Sequence, residues 1–307
     1  MPALPDTGLR MNQDSVLIIG ASGLTGYALL RTMQPVQPNV VGTYANHPRR
    51  GLCHLDITDV SQVRDCLSAL RPKTIYLTAA LTHVDYCEDH LEDAVRQNVD
   101  GPRQIAQKAA ALGAKLVFYS TEYVFDGRNG PYDEEAMPAP LSVYGKTKLL
   151  AEQAIREICA DYLIVRTTVV YGWERESKNF AMQIYERVKA GAKMTIPDDQ
   201  VGTPTLAEYL AETSLDLVQR GTSGVVNVVG KDLMARSEFA RALVNTFGGN
   251  PELVIPVTTA SLKQKAARPL RGGLRTEKLA RILAKEPPSI AESLERLRSQ
   301  WQADPGG

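Results

Sequence analysis

Ser15-Val16-Leu17-Ile18-Ile19 runs directly into Gly20-Ala21-Ser22-Gly23-Leu24-Thr25-Gly26, and helical spacing follows from Leu24 to Met33. An uninterrupted apolar run with β-branched residues suits a strand covered on both faces. Such a strand, turned by glycine into a helix, predicts a parallel neighbour reached by a right-handed crossover. The alternation continues downstream. Strands are expected at Val40–Tyr44, Thr74–Thr78, Lys115–Ser120 and Tyr162–Arg166. Helices are expected at Ser61–Leu70 with Ser61 as N-cap, at Asp93–Leu112 closed by Gly113, and at Val143–Ala160. This rhythm predicts an α/β fold, a doubly wound parallel sheet of the Rossmann type.

The rhythm changes after Gly172. Phe180–Ala190, Thr205–Gln219, Ser237–Thr246 and Ser289–Trp301 read as helices, and Gly224–Val229 as a strand. The expectation is a dinucleotide-binding domain over residues 1–172 that also carries the catalytic residues. Residues 173–307 are expected to form a smaller substrate-binding lobe, partly interleaved with the first domain. Met1–Asp14 reads as a flexible polar leader without signal-peptide character, and Ala303–Gly307 as a frayed end.

Composition narrows the partners. Lys+Arg and Asp+Glu both total 35, so there is no basic excess to recruit nucleic acid or an anionic membrane. No apolar run reaches the ~18 residues of a membrane span, and a cytoplasmic protein is expected. Cys53, Cys66, Cys87 and Cys159 form no CxxC pair and read as thiols. His83, Cys87 and His90 lie close in sequence but lack a fourth ligand, so no metal site is expected.

The glycine motif has the strand-before, helix-after context that a dinucleotide site requires. Gly20 permits the tight turn, Gly23 the approach of a pyrophosphate and Gly26 close helix–strand packing. Ser22, Leu24 and Thr25 complete that loop, whose helix end offers N–H groups to phosphate. NAD sites usually carry an acid about 20 residues on, at the end of the second strand. Here Gly42 to Arg50 contains none, and Arg49 and Arg50 follow. A guanidinium can grip a 2′-phosphate bidentately, so NADP(H) is favoured, with NAD(H) as the alternative. Asp56 and Ile57, after another strand-like stretch, are candidates to flank the adenine.

Tyr144-x-x-x-Lys148 places both side chains on one helix face. A cationic Lys148 is expected to lower the Tyr144 phenol pKa, and Tyr144 to protonate a carbonyl oxygen as hydride arrives. Thr121, at the end of the fourth strand, is placed to hydrogen-bond the same oxygen.

These stretches together resemble the extended short-chain dehydrogenases, and more narrowly the dTDP-4-dehydrorhamnose reductase family. The resemblance rests on the glycine motif, Ala79 to Asp85, Asn98-Val99, Ser120 to Gly127, Pro138 to Leu141 with Tyr144 to Lys148, Arg166 to Gly172, Val201 to Thr205, and Arg268-Pro269. It implies Thr121, Tyr144 and Lys148 as the catalytic set, and Ala79, Ala80, Thr82 and Asn98 beside the cofactor. The implied substrate is a nucleotide-linked 4-keto-6-deoxy sugar, foremost dTDP-4-dehydro-L-rhamnose, with Glu122, Val169 and Arg268 on its side. The family often has Asp where Glu122 stands, and a Trp where Val169 stands. Ala28 replaces an acid implicated in metal-bridged dimers, so no magnesium-bridged dimer is expected; a homodimer of another kind stays open. The chain is also similar to the regulatory β subunit of methionine adenosyltransferase, which binds NADP and docks on a partner enzyme. An NADP-binding regulatory subunit, or a nucleotide-sugar epimerase, are the alternatives.

Overall fold

The computed structural model describes residues 15–304. Met1–Asp14 and the last three tail positions, for which a leader and a frayed end are expected, lie outside the described residues. In chain order the first half contains β1 (Val16–Ile19), α1 (Leu24–Met33), β2 (Val40–Tyr44), β3 (Cys53–His54), α2 (Val60–Leu70) and β4 (Thr74–Leu77). It continues with α3 (Val84–Asp89), α4 (Leu91–Val95), α5 (Gly101–Leu112), β5 (Lys115–Thr121), α6 (Val143–Ile158), β6 (Tyr162–Thr167) and β7 (Val170–Tyr171). The second half contains α7 (Phe180–Lys189), β8 (Met194–Pro197), β9 (Val201–Gly202), β10 (Thr205–Leu206), α8 (Ala207–Gln219) and β11 (Gly224–Asn227). It ends with β12 (Met234–Ala235), α9 (Arg236–Thr246), β13 (Val254–Val257), α10 (Glu277–Leu283) and α11 (Ile290–Ala303).

Seven strands form one parallel sheet in the order β11-β6-β5-β4-β1-β2-β3. Strand order reverses between β1 and β4, and a crevice opens beyond the carboxyl ends at such a point. The β1 run is apolar throughout because its side chains serve two cores. Ile18 packs with Leu29, Leu30 and Met33 of α1 and Leu210 of α8. Leu17 and Ile19 pack with Val63 and Leu67 of α2, Ile105 of α5 and Ile155 of α6. A third core gathers Trp173, Phe239, Phe247 and Leu297 between α7, α9 and α11.

Several local expectations change. Asp59, not Ser61, caps α2: its Oδ1 accepts the N–H of Ser61 at 2.8 Å and of Gln62 at 3.1 Å. The single helix expected at Asp93–Leu112 is interrupted by a π turn at Arg96–Asp100. Pro102 follows after Gly101 and has no N–H to return to Asn98, which removes one bond of a regular helix there. Thr205 and Leu206 belong to a strand paired with β7, and α8 starts at Ala207. Ala303 ends α11 instead of fraying. Asp304 beyond it binds Arg175 at 2.8 Å and accepts from Trp173 Nε1 at 2.9 Å. No helix among the described residues is long and apolar enough to cross a membrane.

Candidate functional site

A cleft of about 700 Å³ runs along the carboxyl ends of β1, β4, β5 and β6. One end is the glycine corner, lined by Gly20, Ser22, Gly23, Leu24, Thr25 and Gly26. Gly20 sits at φ +90°, and a Cβ there would come within 2.7 Å of the Ala79 nitrogen. A Cβ on Gly26 would strike the Gly20 carbonyl. Gly23 is the N-cap of α1 and supplies no side-chain acceptor, so the head of that ten-residue helix keeps its N–H groups for a ligand. These features fit the diphosphate of a dinucleotide. Ala79, Ala80 and Thr82 continue the wall after β4, and Asp56 and Ile57 flank it after β3.

Three expected cofactor residues lie elsewhere. Asn98 is buried behind the wall. Its Oδ1 accepts the Leu81 N–H at 2.8 Å, and its Nδ2 donates to the Leu81 carbonyl at 3.0 Å and to Thr147 at 3.3 Å. It therefore fixes the 79–82 loop against α6. Arg49 and Arg50 are not on the wall either; Ala45, Asn46 and His47 are. Arg49 lies 3.5 Å from the centre of the Tyr27 ring and pairs through Nη2 with Glu174 at 2.8 Å. Its Nη1 is buried without a hydrogen-bond partner. Arg50 is exposed.

Thr121, Tyr144 and Lys148 line the same cleft. Ser142 caps α6 by accepting the Gly145 N–H at 3.2 Å, and Tyr144 and Lys148 then sit one turn apart. Gly145 has no room for a Cβ beneath the Tyr123 carbonyl. The Tyr123 and Tyr144 rings meet edge-on, 5.7 Å apart. Lys148 Nζ lies 4.0 Å from the centre of the Phe118 ring. Burial pulls the Lys148 ammonium down to about 7, with Glu152 opposing. Burial pushes the Tyr144 phenol well above its ordinary value, and a hydrogen bond with Thr121 only partly offsets this. Burial of the Tyr144 phenol thus acts opposite to the expected lowering by Lys148, and no effect of Lys148 on it accompanies the shift.

Toward the second lobe the cleft is lined by Glu122, Thr167, Val169 and Arg236. The Glu122 carboxylate accepts from the Thr168 hydroxyl and, at 2.5 Å, from the Gly273 N–H. Burial raises its pKa. Val169 stands at φ +43°, a costly backbone for a β-branched residue and of the kind that gathers at functional sites. Arg268, expected to face the substrate, is spent on Asp85, which takes its Nη1 and Nη2 at 2.9 Å each. Pro269 reaches the wall in its place. Thr167 and Arg236 are among the wall residues with no counterpart in the sequence expectations. Thr167 Oγ1 is buried without a partner. Arg236 heads α9, and a cation at the positive end of a helix is the sequence signal that could have marked it. His83, Cys87 and His90 serve locally: His83 Nδ1 accepts the Tyr86 N–H at 3.0 Å, His90 stacks on Tyr86 at 3.9 Å, and Cys87 is buried.

Comparison with known proteins gives a consistent picture. The family described as RmlD substrate binding domain matches residues 14–302. A probable low-salt glycan biosynthesis reductase, Agl14 of Haloferax volcanii, is 32% identical over 92% of this chain and 97% of that relative. The β subunit of methionine adenosyltransferase 2 from Bos taurus is 32% identical over 79% of this chain and 75% of its own. Among solved structures, dTDP-4-dehydrorhamnose reductase from Bacillus anthracis in complex with NADP superposes with a TM-score of 0.86 at 31% identity. The match covers 94% of this chain and all (100%) of that one.

Proposed function

The chain belongs to the RmlD substrate binding domain family, and within it we propose an NADPH-dependent reductase that converts the C4 ketone of a nucleotide-linked 6-deoxy sugar to the alcohol, foremost dTDP-4-dehydro-L-rhamnose to dTDP-L-rhamnose. The observation that carries this reading is that Thr121, Tyr144 and Lys148 line the same cleft as the glycine corner. NADP(H), bound along Gly20 to Gly26, Asp56, Ile57, Ala79, Ala80 and Thr82, supplies the hydride to C4. A 2′-phosphate role for Arg49 requires its guanidinium, held over Tyr27 and paired with Glu174, to turn toward the Ala45–His47 wall.

The protein's own part is the proton. Tyr144, protonated at neutral pH, can donate its proton in the reductive direction. Tyr144 Oη gives its proton to the O4 oxygen as negative charge develops there, and Thr121 Oγ1 holds the same oxygen. Lys148, with a pKa near neutrality, gains charge when an anion arrives beside it, which eases replacement of the lost phenol proton. Thr167 Oγ1 is left to bind the sugar.

The test is NADPH oxidation by the purified protein with dTDP-4-dehydro-L-rhamnose generated in the cuvette. Tyr144→Phe should abolish turnover and leave NADPH binding within a few-fold; near-normal turnover would sink the mechanism. A second reading is favoured by the identity to the methionine adenosyltransferase β subunit. Tight NADPH binding without turnover of any keto sugar would turn the assignment to such a regulatory role.

A further inference from the structure

The acid that the end of β2 lacks arrives from far along the chain. Between β7 and α7 the backbone makes a closed turn. Asn179 Nδ2 donates to the Gly172 carbonyl at 3.1 Å, its Oδ1 accepts the Gly172 N–H at 3.4 Å, and the Ser177 N–H reaches the Glu174 carbonyl at 2.9 Å. The turn sits against the head of α1, where a Cβ on Gly172 would lie 3.3 Å from Leu24 Cδ1. It brings Glu174 to Arg49 Nη2 at 2.8 Å and Glu176 to the same nitrogen at 3.4 Å. The Glu174 side chain is 10% exposed and that of Glu176 71%, so water screens the outer acid far more than the inner one. Neighbouring cations are engaged with other acids: Arg31, 5.9 Å from the centre of the Tyr27 ring, acts on Glu208, and Arg175 pairs with Asp304.

A guanidinium facing two carboxylates has no net positive charge to offer a phosphate. Ala45, Asn46 and His47 line the cleft, and Arg49, two positions on, is turned away from it over Tyr27. A 2′-phosphate can recruit Arg49 only by drawing it off Glu174, which leaves a largely buried carboxylate unpaired, a costly state. A 2′-hydroxyl makes no such demand. We infer that Glu174 sets the cofactor preference of this protein, holding Arg49 in a pair that NADP(H) must break and NAD(H) need not. The chain therefore discriminates between the two dinucleotides less than its arginine would allow. This rests on the cofactor reading above and is independent of the sugar that is reduced.

The experiment titrates NADPH and NADH into the full chain by fluorescence, and repeats both series with Glu174→Gln, Glu176→Gln, Arg49→Met and the Glu174→Gln, Arg49→Met pair. Glu174→Gln should tighten NADPH about five- to tenfold, because an amide holds the guanidinium about half as strongly as a carboxylate. NADH affinity should stay within about twofold, which shows that the site is intact. Glu176→Gln should change the NADPH-to-NADH ratio less than about twofold, as expected of an exposed pair. With Arg49→Met in place, Glu174→Gln should leave the ratio where it was. An unchanged ratio in Glu174→Gln overturns the inference, as does equal weakening of both dinucleotides, which would make Glu174 a structural residue. The same gain without Arg49, or from Glu176→Gln, also overturns it, because removal of any negative charge would then suffice. Failure of the cofactor reading looks different: the parent would bind neither dinucleotide, and the inference would fall with it. Binding that follows Glu174 with no keto sugar reduced upholds the inference and refutes only the reductase.

Discussion

Glu122→Gln isolates the cost of keeping a carboxyl group inside the cleft wall. Glu122 is 6% exposed, and both its oxygens already accept, one from Thr168 and one from Gly273. The glutamine amide has nearly the same shape: its oxygen can keep the Gly273 N–H while its NH₂ donates to the Thr168 oxygen. The difference lies in titration. Burial raises the Glu122 pKa above its unfolded value of about 4.3. A raised folded pKa means that the native state holds the proton over a range where the unfolded chain has lost it. Stability from this group is therefore full below pH ~4.3 and falls as pH rises, by up to about 1.4 kcal/mol per pH unit, until the folded carboxyl ionises. The variant has no such loss. Urea unfolding of both proteins without cofactor, from pH 4.5 to 8, should show the variant gaining on the parent at about that slope and then running parallel. Taking the difference cancels the other carboxylates. Two curves parallel across the whole range would refute the argument, because Glu122 would then ionise in the fold as readily as in water.

Two further perturbations test the surroundings of the site. Arg49→Ala with Arg50→Ala should weaken NADPH about tenfold more than NADH in fluorescence titrations, from the loss of a charged hydrogen bond to the 2′-phosphate; equal losses would remove Arg49 from that role. Arg166→Met should cost about 3–5 kcal/mol in urea unfolding, because Glu152 is fully buried and Arg166 reaches both its oxygens, at 2.9 and 2.7 Å. Adding Glu152→Leu should return most of that loss, and a double variant as unstable as the single one would show that packing, not charge, sets the cost.

The readings that survive the structure are those decided by neighbouring residues. Gly20 and Gly26 are needed because backbone from β1, α1 and the β4 loop converges on them, and that steric demand is written within a few residues. Tyr144 and Lys148 share a face because an α-helix repeats at that spacing, and the Ser142 cap starts the helix at the required place. The Tyr144 pKa is different. Its direction depends on how much protein surrounds the phenol, and no spacing rule reports desolvation, so the local argument from Lys148 leaves out the largest cause of its shift. The same holds for the break at Arg96–Asp100, where apolar periodicity suggests one helix and the hydrogen-bond ladder does not continue.

The substrate half is unreadable for a related reason. Arg268 is set by Asp85, 183 positions earlier, Glu122 by Gly273, 151 positions later, and Arg49 by Glu174 across 125 positions. Ion pairs and buried hydrogen bonds of this range form only after the lobes are packed. Which arginine remains free to meet a ligand is consequently a property of the fold and not of any motif. The glycine corner and the Tyr144–Lys148 pair are thus encoded locally, while the side chains facing the second-lobe end of the cleft depend on long-range pairing. Chains that keep the local motifs can redirect the substrate half by exchanging a few distant partners, and the catalytic core need not change.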